Sequence, residues 1–165
     1  MLYTDKNIMT AFIGLAQEAD RLFERDYRLT QIKNGLRIEY DEVVQRISTE
    51  LDISECNDSE NLHRIKKAVW DTGATTSSIS NRLAEHFGLR PVDVGIIVTA
   101  TGQVEVPIYM LDLHLTKDII LKNIKVFGSP MENRDVDFLV GMDVISKGKF
   151  IVDSTGGGTS VSFTM

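Results

Sequence analysis

Trp70-Asp71-Thr72-Gly73-Ala74-Thr75 is the stretch of this chain whose residue types suit chemistry. An apolar run, Ala68-Val69-Trp70, leads straight into an acid, and small and hydroxyl residues follow it. That order places a carboxylate at the tip of a buried strand. It also lets another backbone come close, because Gly73 has no side chain. A carboxylate so placed can activate a water as general base, or protonate a carbonyl or leaving amine as general acid. Asp71 is therefore read as a catalytic aspartate.

Other candidates for chemistry fall away. His63, His86 and His114 are scattered, with no Cys or paired acid at ligand spacing, so neither a metal site nor a cofactor is expected. Gly156-Gly157-Gly158-Thr159-Ser160 lacks the Lys of a phosphate-binding loop and reads as a hairpin turn. No Gly-x-Ser-x-Gly occurs. The single cysteine, Cys56, lies among Ser54, Glu55, Asn57 and Asp58. Acidic neighbours raise a thiol pKa, so Cys56 reads as an inert surface thiol, and its lack of a disulfide partner suits a reducing compartment.

At 165 residues the chain is long enough for one domain with a sizeable core. It is 42% hydrophobic and 25% charged, ordinary values for a soluble globular protein. A net charge of −6 and a pI near 5.0 argue against a nucleic-acid or anionic-membrane surface. The amino terminus lacks a signal-peptide pattern, and no apolar run approaches the roughly 20 residues that cross a bilayer. A cytoplasmic protein is expected.

Around the acid, the elements read as follows. Asn7 to Arg25 is an amphipathic helix, with Ile8, Phe12, Leu15, Ala19, Leu22 and Phe23 at helical spacing. It is expected either to pack on the domain or to act as a dimerisation arm or autoinhibitory leader. Residues 1–30 are thus read as a helical extension and 31–165 as the main domain. Asn34-Gly35 is a turn signal. Leu36 to Tyr40 and Ile47 to Ile53 alternate as half-buried strands, Glu55 to Asn61 is a loop, and Leu62 to Trp70 is the strand that delivers Asp71. Ser80 to Phe87 is a short helix, with Ser80 as N-cap and Gly88 as stop. Val94 to Thr99 and Val104 to Leu115 flank the small tip Ala100-Thr101-Gly102-Gln103 as a hairpin. Ile119 to Phe127 is a strand, Gly128-Ser129-Pro130 opens a loop, and Val136 to Val140 is an apolar run ending at Gly141. A short helix from Met142 and two strands around the triglycine complete a mainly β chain.

Three segments together resemble the retropepsin-like aspartic proteases: Val69-Trp70-Asp71-Thr72-Gly73-Ala74-Thr75-Thr76-Ser77-Ser78-Ile79, the hairpin Thr99 to Pro107, and Phe138-Leu139-Val140-Gly141-Met142-Asp143-Val144-Ile145. The resemblance covers roughly Leu62 to Asp153 and is closer to cellular and bacterial single-domain members than to viral ones, which usually carry Arg where this chain has Met142. It implies a closed β-barrel-like fold, here with the amino-terminal helix and one or two short helices. It also implies an active site shared between two protomers that hydrolyses peptide bonds.

Metal-free hydrolysis of this kind needs an acid and a base, and two adjacent carboxylates sharing one proton supply both. The chain has one Asp-Thr-Gly and no Asp-Ser-Gly, so the second aspartate has to come from another copy. A symmetric homodimer with Asp71 facing Asp71 of the second copy is expected. By resemblance, Thr72 bonds into the other copy's loop, and Gly73 and Ala74 stay small beside a peptide substrate. Leu139-Val140-Gly141 packs beneath the loop, and Asp143 supports Thr75 or a nearby backbone amide. Ala100, Thr101, Gly102 and Gln103 form a flap tip, and Ile97, Val98 and Ile79 are expected as subsite walls. Trp70 and the single flap glycine, Gly102, depart from the family pattern. The alternative is a catalytically silent dimeric module that binds peptide or regulates, and a further one is a zymogen covered by its amino-terminal helix.

Overall fold

The structure is a computed structural model, which describes residues 27–56, 58–99, 102–131 and 135–165. The helix expected over Asn7–Arg25 lies outside the described residues.

Two sheets carry the chain. The first holds β1 (Tyr27–Ile32), β2 (Gly35–Tyr40), β10 (Lys149–Asp153) and β11 (Thr159–Thr164), in the order β1-β2-β11-β10. Alternation dictates its buried face. Leu36 and Ile38 of β2 stand opposite Phe163 and Val161 of β11, and all four are buried. β1 has almost no buried side chain and so no clear alternation, which is why the sequence pattern passes over it. The domain boundary expected at residue 30 falls inside this strand.

The second sheet contains β3 (Ser48–Glu55), β4 (His63–Trp70), β5 (Ser78–Ser80), β6 (Asp93–Thr99), β7 (Gly102–His114), β8 (Ile120–Ser129) and β9 (Phe138–Val140). Its order is β3-β4-β9-β5-β8-β7-β6, and β3 also pairs with β7. Six strands therefore close into a barrel, with β6 outside it. The length of β7 makes this possible. Its first half pairs with β6 as a hairpin, and its last four residues pair with β3. The chain is mainly β, with two short helices among the described residues, α1 (Asn81–His86) and α2 (Met142–Ile145).

Several local readings hold. Ser80 caps α1 through its side chain, which accepts from the Leu83 N–H, and Gly88 follows with φ +65°. The hairpin of β6 and β7 is in register from Asp93↔Ile108 to Thr99↔Gly102. Two readings change. β5 is a buried three-residue strand that the sequence conceals, because Ser-Ile-Ser is too short for its alternation to stand out and Ser80 doubles as the N-cap of α1. It pairs in parallel with Phe127 to Ser129, so β8 continues through Gly128 and Ser129, where a loop is expected.

The barrel interior is apolar: Ile53, Ile65, Ile79, Leu113, Val126, Phe138 and Val140 are all fully buried. Asp112 sits where the β7–β8 register shifts. Its Oδ1 accepts from the Asn123 N–H at 2.8 Å and from the Cys56 thiol at 3.6 Å. Burial first, and then Asp112, push the Cys56 thiol up. The expected direction is right, but the acid responsible lies 56 residues away rather than beside the cysteine.

Tyr40 ties the two sheets together. Its hydroxyl donates to Ser48 O at 2.6 Å and accepts from Ser48 N at 3.0 Å. Burial pushes its pKa from 10.0 to about 12. Between these values the unfolded chain has released the proton and the folded chain retains it, so stability falls as pH rises through that window. Denaturant unfolding followed from about pH 9 to about pH 12 should show the decline, and a Tyr40→Phe variant should show a shallower one. The variant should also be about 1 kcal/mol less stable at neutral pH, for the hydrogen bonds it loses.

Candidate active site

Asp71 begins the turn that follows β4 and is half-buried. Two backbone bonds locate it: its N–H donates to Val140 O at 3.0 Å, and its carbonyl accepts from Ala74 N at 3.2 Å. Its side chain is held by the same turn, since Oδ1 accepts from the Gly73 N–H at 2.8 Å. A Cβ on Gly73 would lie 3.1 Å from that oxygen, so the missing side chain keeps the carboxylate uncrowded. Thr72, Gly73 and Thr75 are exposed, and Ala74 is half-buried.

A second segment runs beneath. β9 pairs in parallel with β4, with Trp70 opposite Val140, and antiparallel with β5. Gly141 then crosses the Asp71 turn at very short range. A Cβ there would stand 2.7 Å from Thr76 C, 2.9 Å from Ser77 N and 3.0 Å from Ala74 O. After the crossing, Met142 N donates to Ala74 O at 2.8 Å and Asp143 N to Thr75 O at 3.3 Å. Of the expected apolar pair, Val140 enters the barrel core. Leu139, one residue earlier on the strand, points to the opposite face and joins a small cluster with Val69, Met131 and Val136.

Asp143 does support the loop, but through a residue the sequence reading did not single out. Its Oδ1 accepts from the Ser77 N–H at 2.9 Å and from the Ser77 hydroxyl at 2.8 Å. Ser77 Oγ in turn accepts from the Gly141 N–H at 3.0 Å. Ser77 thus joins both ends of the crossing, and it is fully buried. The available signal was a hydroxyl at the end of the motif and an acid two residues after Gly141. Nothing local says that they meet.

Trp70, the departure from the family pattern, has a structural account. Its ring is buried, and its Nε1 donates to Thr49 Oγ1 at 3.0 Å. It stacks on Phe150 at 5.3 Å between centroids and tilts against Phe163 at 5.4 Å. A larger ring at this position reaches from the barrel to the four-stranded sheet.

The expected flap is the β6–β7 hairpin. Its base is clamped where Glu55 Oε1 accepts from the Arg90 N–H at 3.0 Å and Oε2 meets the Arg90 guanidinium at 3.3 Å. The Arg90 N–H is the main cause that holds the Glu55 carboxyl below its usual range. Gly102, at φ +134°, and exposed Gln103 start β7. Ala100 and Thr101 lie outside the described residues. Ile97 and Val98 are neighbours on one strand and therefore point to opposite faces. Ile97 shares the face of Gly95, where an added Cβ would strike Phe127 and Ile108, while Val98 is 79% exposed with Val94 and Ile96 on the other. Ile79 is not a subsite wall: it is fully buried in the barrel core.

The histidines are structural or peripheral. His63 stacks on Phe87 at 4.5 Å, His86 lies against the same ring, and His114 Nε2 is 3.1 Å from Ser54 Oγ. A groove of about 1000 Å³ lies between β1 and the β3–β4–β7 side of the barrel, lined by Tyr27, Leu29, Arg64 and His114 among others, and contains none of the expected site residues.

A closed six-strand barrel with an Asp-Thr-Gly turn over a parallel strand pair and a hairpin beside it defines the class of retropepsin-like aspartic proteases. Residues 61–147, more than half of the chain, match the family described as "gag-polyprotein putative aspartyl protease", and the chain belongs to that family. No curated protein matches the sequence. Among solved structures, a retropepsin-like aspartic protease from Rickettsia conorii is similar at 17% identity and a TM-score of 0.50, over 85% of this chain and 97% of that one. The simian foamy virus (mac) protease is 21% identical over 59% of this chain and 92% of its own, with a TM-score of 0.39. The retroviral protease-like domain of Ddi1 from Leishmania major is 17% identical over 72% and 94%, with a TM-score of 0.43.

Proposed function

We propose that the chain is an aspartic endopeptidase, active as a homodimer in which Asp71 and Asp71 of a second copy activate one water. The observation that carries this reading is the Asp71 turn: one carboxylate, oriented by the Gly73 N–H and built on a crossing that allows no side chain at Gly141. One copy supplies half of an acid–base pair. The second carboxylate makes the pair able to hold a single proton, to deprotonate water with one member and to protonate the peptide carbonyl with the other. Water attacks the carbonyl carbon, the tetrahedral species collapses, and the amine leaves with a proton. Neither a metal nor a covalent intermediate takes part.

An extended peptide lies between the paired turns and the β6–β7 hairpins, held mostly through its main chain. Exposed Thr72 is available to the second copy, and exposed Gly73 to the peptide backbone. Closure of the hairpin tips, with Ala100, Thr101, Gly102 and Gln103, excludes water from the reacting bond. The lone Cys56 suits a reducing, cytoplasmic setting.

The test is incubation of the full chain with a mixed peptide library at acidic to neutral pH, with and without a statine-type inhibitor. Cleavage that the inhibitor blocks supports the reading. Uptake of peptide without cleavage, at concentrations where sedimentation shows a dimer, overturns it in favour of a silent binding module.

A further inference from the structure

We infer that the amphipathic amino-terminal segment, residues 7–25, docks by its apolar stripe into its own chain's groove between β1 and the β3–β4–β7 side of the barrel. The groove contains none of the expected site residues. A segment seated there leaves the Asp71 turn uncovered, and its docking does not depend on the protease reading.

What the groove leaves unmet is apolar. Leu51 and Leu115 are buried and form its floor, while Leu29 on β1 and Leu62, just before β4, are 39% and 49% exposed on its walls. Leu29 stands opposite Ile38 across the sheet and shares its face. Ile38 is fully buried, so the barrel covers that face at β2 and stops short of it at β1. The acids on the rim are already paired: Glu50 and Asp52 both meet the Arg64 guanidinium, and Asp118 accepts from the Gln31 amide. A charged ligand would have to break those pairs, whereas an apolar one covers leucines that now meet water.

Connectivity names the occupant. Residues 1–26 precede Tyr27, and Tyr27 itself lines the groove, so the segment enters at the groove's edge. Its stripe of Ile8, Phe12, Leu15, Ala19, Leu22 and Phe23 cannot be buried within one helix, and such a helix draws its stability from packing that face. The lengths agree. From Tyr27 to Gln31 the wall of the groove spans about 13 Å, at about 3.3 Å per residue of strand. From Leu15 to Phe23 a helix spans about 12 Å, at about 1.5 Å per residue. Leu15, Ala19, Leu22 and Phe23 therefore fill the groove once the chain reverses through Glu24, Arg25 and Asp26, whose charges suit an exposed turn. So short a tether holds the stripe at an effective concentration of about millimolar, which a free partner would have to exceed.

Two measurements on the full chain, in a Cys56→Ser background, test the docking. The emission of the single tryptophan, buried Trp70, reports that each variant keeps its fold. Ala19→Cys combined with Leu62→Cys should be bridged by a short bismaleimide at least about tenfold faster than Ala19→Cys combined with Val98→Cys on the β6–β7 hairpin. Mixing isotopically labelled and unlabelled chains should show the bridge within one chain. Separately, the thiol of Leu29→Cys should react slowly with a thiol reagent, and adding Leu15→Asp and Leu22→Asp should speed it about tenfold or more. Preferred bridging to Val98→Cys would put the segment over the cleft. A bridge between chains would make it an arm onto a second copy. No bridge at either position, or thiol reactivity unmoved by the two aspartates, would leave the groove without this occupant. Each of these results overturns the docking, and none of them touches the proposed protease.

Discussion

Asp71→Asn is expected to abolish peptide cleavage while leaving the fold intact. The substitution preserves shape and the acceptor oxygen that takes the Gly73 N–H at 2.8 Å, so the turn should keep its conformation. It removes the proton chemistry twice over, because in a symmetric dimer both members of the pair change together. An amide neither takes a proton from water nor donates one to a carbonyl as an acid does. The loss should be on the order of 10⁴-fold in kcat/KM or greater, with peptide affinity little altered. Thermal unfolding should shift by no more than about 1 kcal/mol, since the turn's hydrogen bonds survive. Unchanged cleavage would remove Asp71 from the mechanism. Collapse of the fold would mean that the carboxylate is structural.

The second large effect is on stability. Gly141→Ala adds one methyl at a point where all three nearest atoms are backbone: Thr76 C at 2.7 Å, Ser77 N at 2.9 Å and Ala74 O at 3.0 Å. No side chain can rotate away, so the two segments must separate. That movement would strain the Ser77–Asp143 bonds, the Gly141 N–H bond to Ser77 Oγ and the Met142 N–H bond to Ala74 O together. The expected cost is about 3 kcal/mol, seen as a melting temperature lower by about 10 °C. Activity should fall with it, because the displaced segment carries the carbonyl of Val140 that fixes the Asp71 N–H. Calorimetry and the peptide assay measured on the same sample check both. A variant as stable as the parent would show that the crossing has slack that its distances deny.

These two residues lie at opposite ends of what the sequence makes legible. Asp71 is readable because its signals are adjacent: the apolar run before it, the small residues after it, and its occurrence once in the chain. The Ser80 cap, the Gly88 stop and the hairpin of β6 and β7 are readable for the same reason, each being written within a few residues. Gly141 is visible as the end of an apolar run, but its need to be glycine comes from Thr76 and Ser77, more than sixty positions earlier. Ile79 shows the limit from the other side. It follows the motif closely enough to suggest a cleft wall, yet parallel pairing of β5 with β8 turns it into the barrel core.

By itself, then, the amino-acid sequence determined which carboxylate stands at a strand tip, that each chain holds one of them, and that the surrounding chain is mostly strand. Periodicity and turn chemistry act over a few residues and are recorded there. Only the tertiary structure decided that β4 and β9 run parallel, that Ser77 joins Asp143 to Gly141, and that Trp70 spans from the barrel to Phe150 and Phe163. Those contacts join residues far apart in the chain, and closing such loops leaves no mark on local composition. Their partners are chosen by which faces remain to be buried once the barrel has closed.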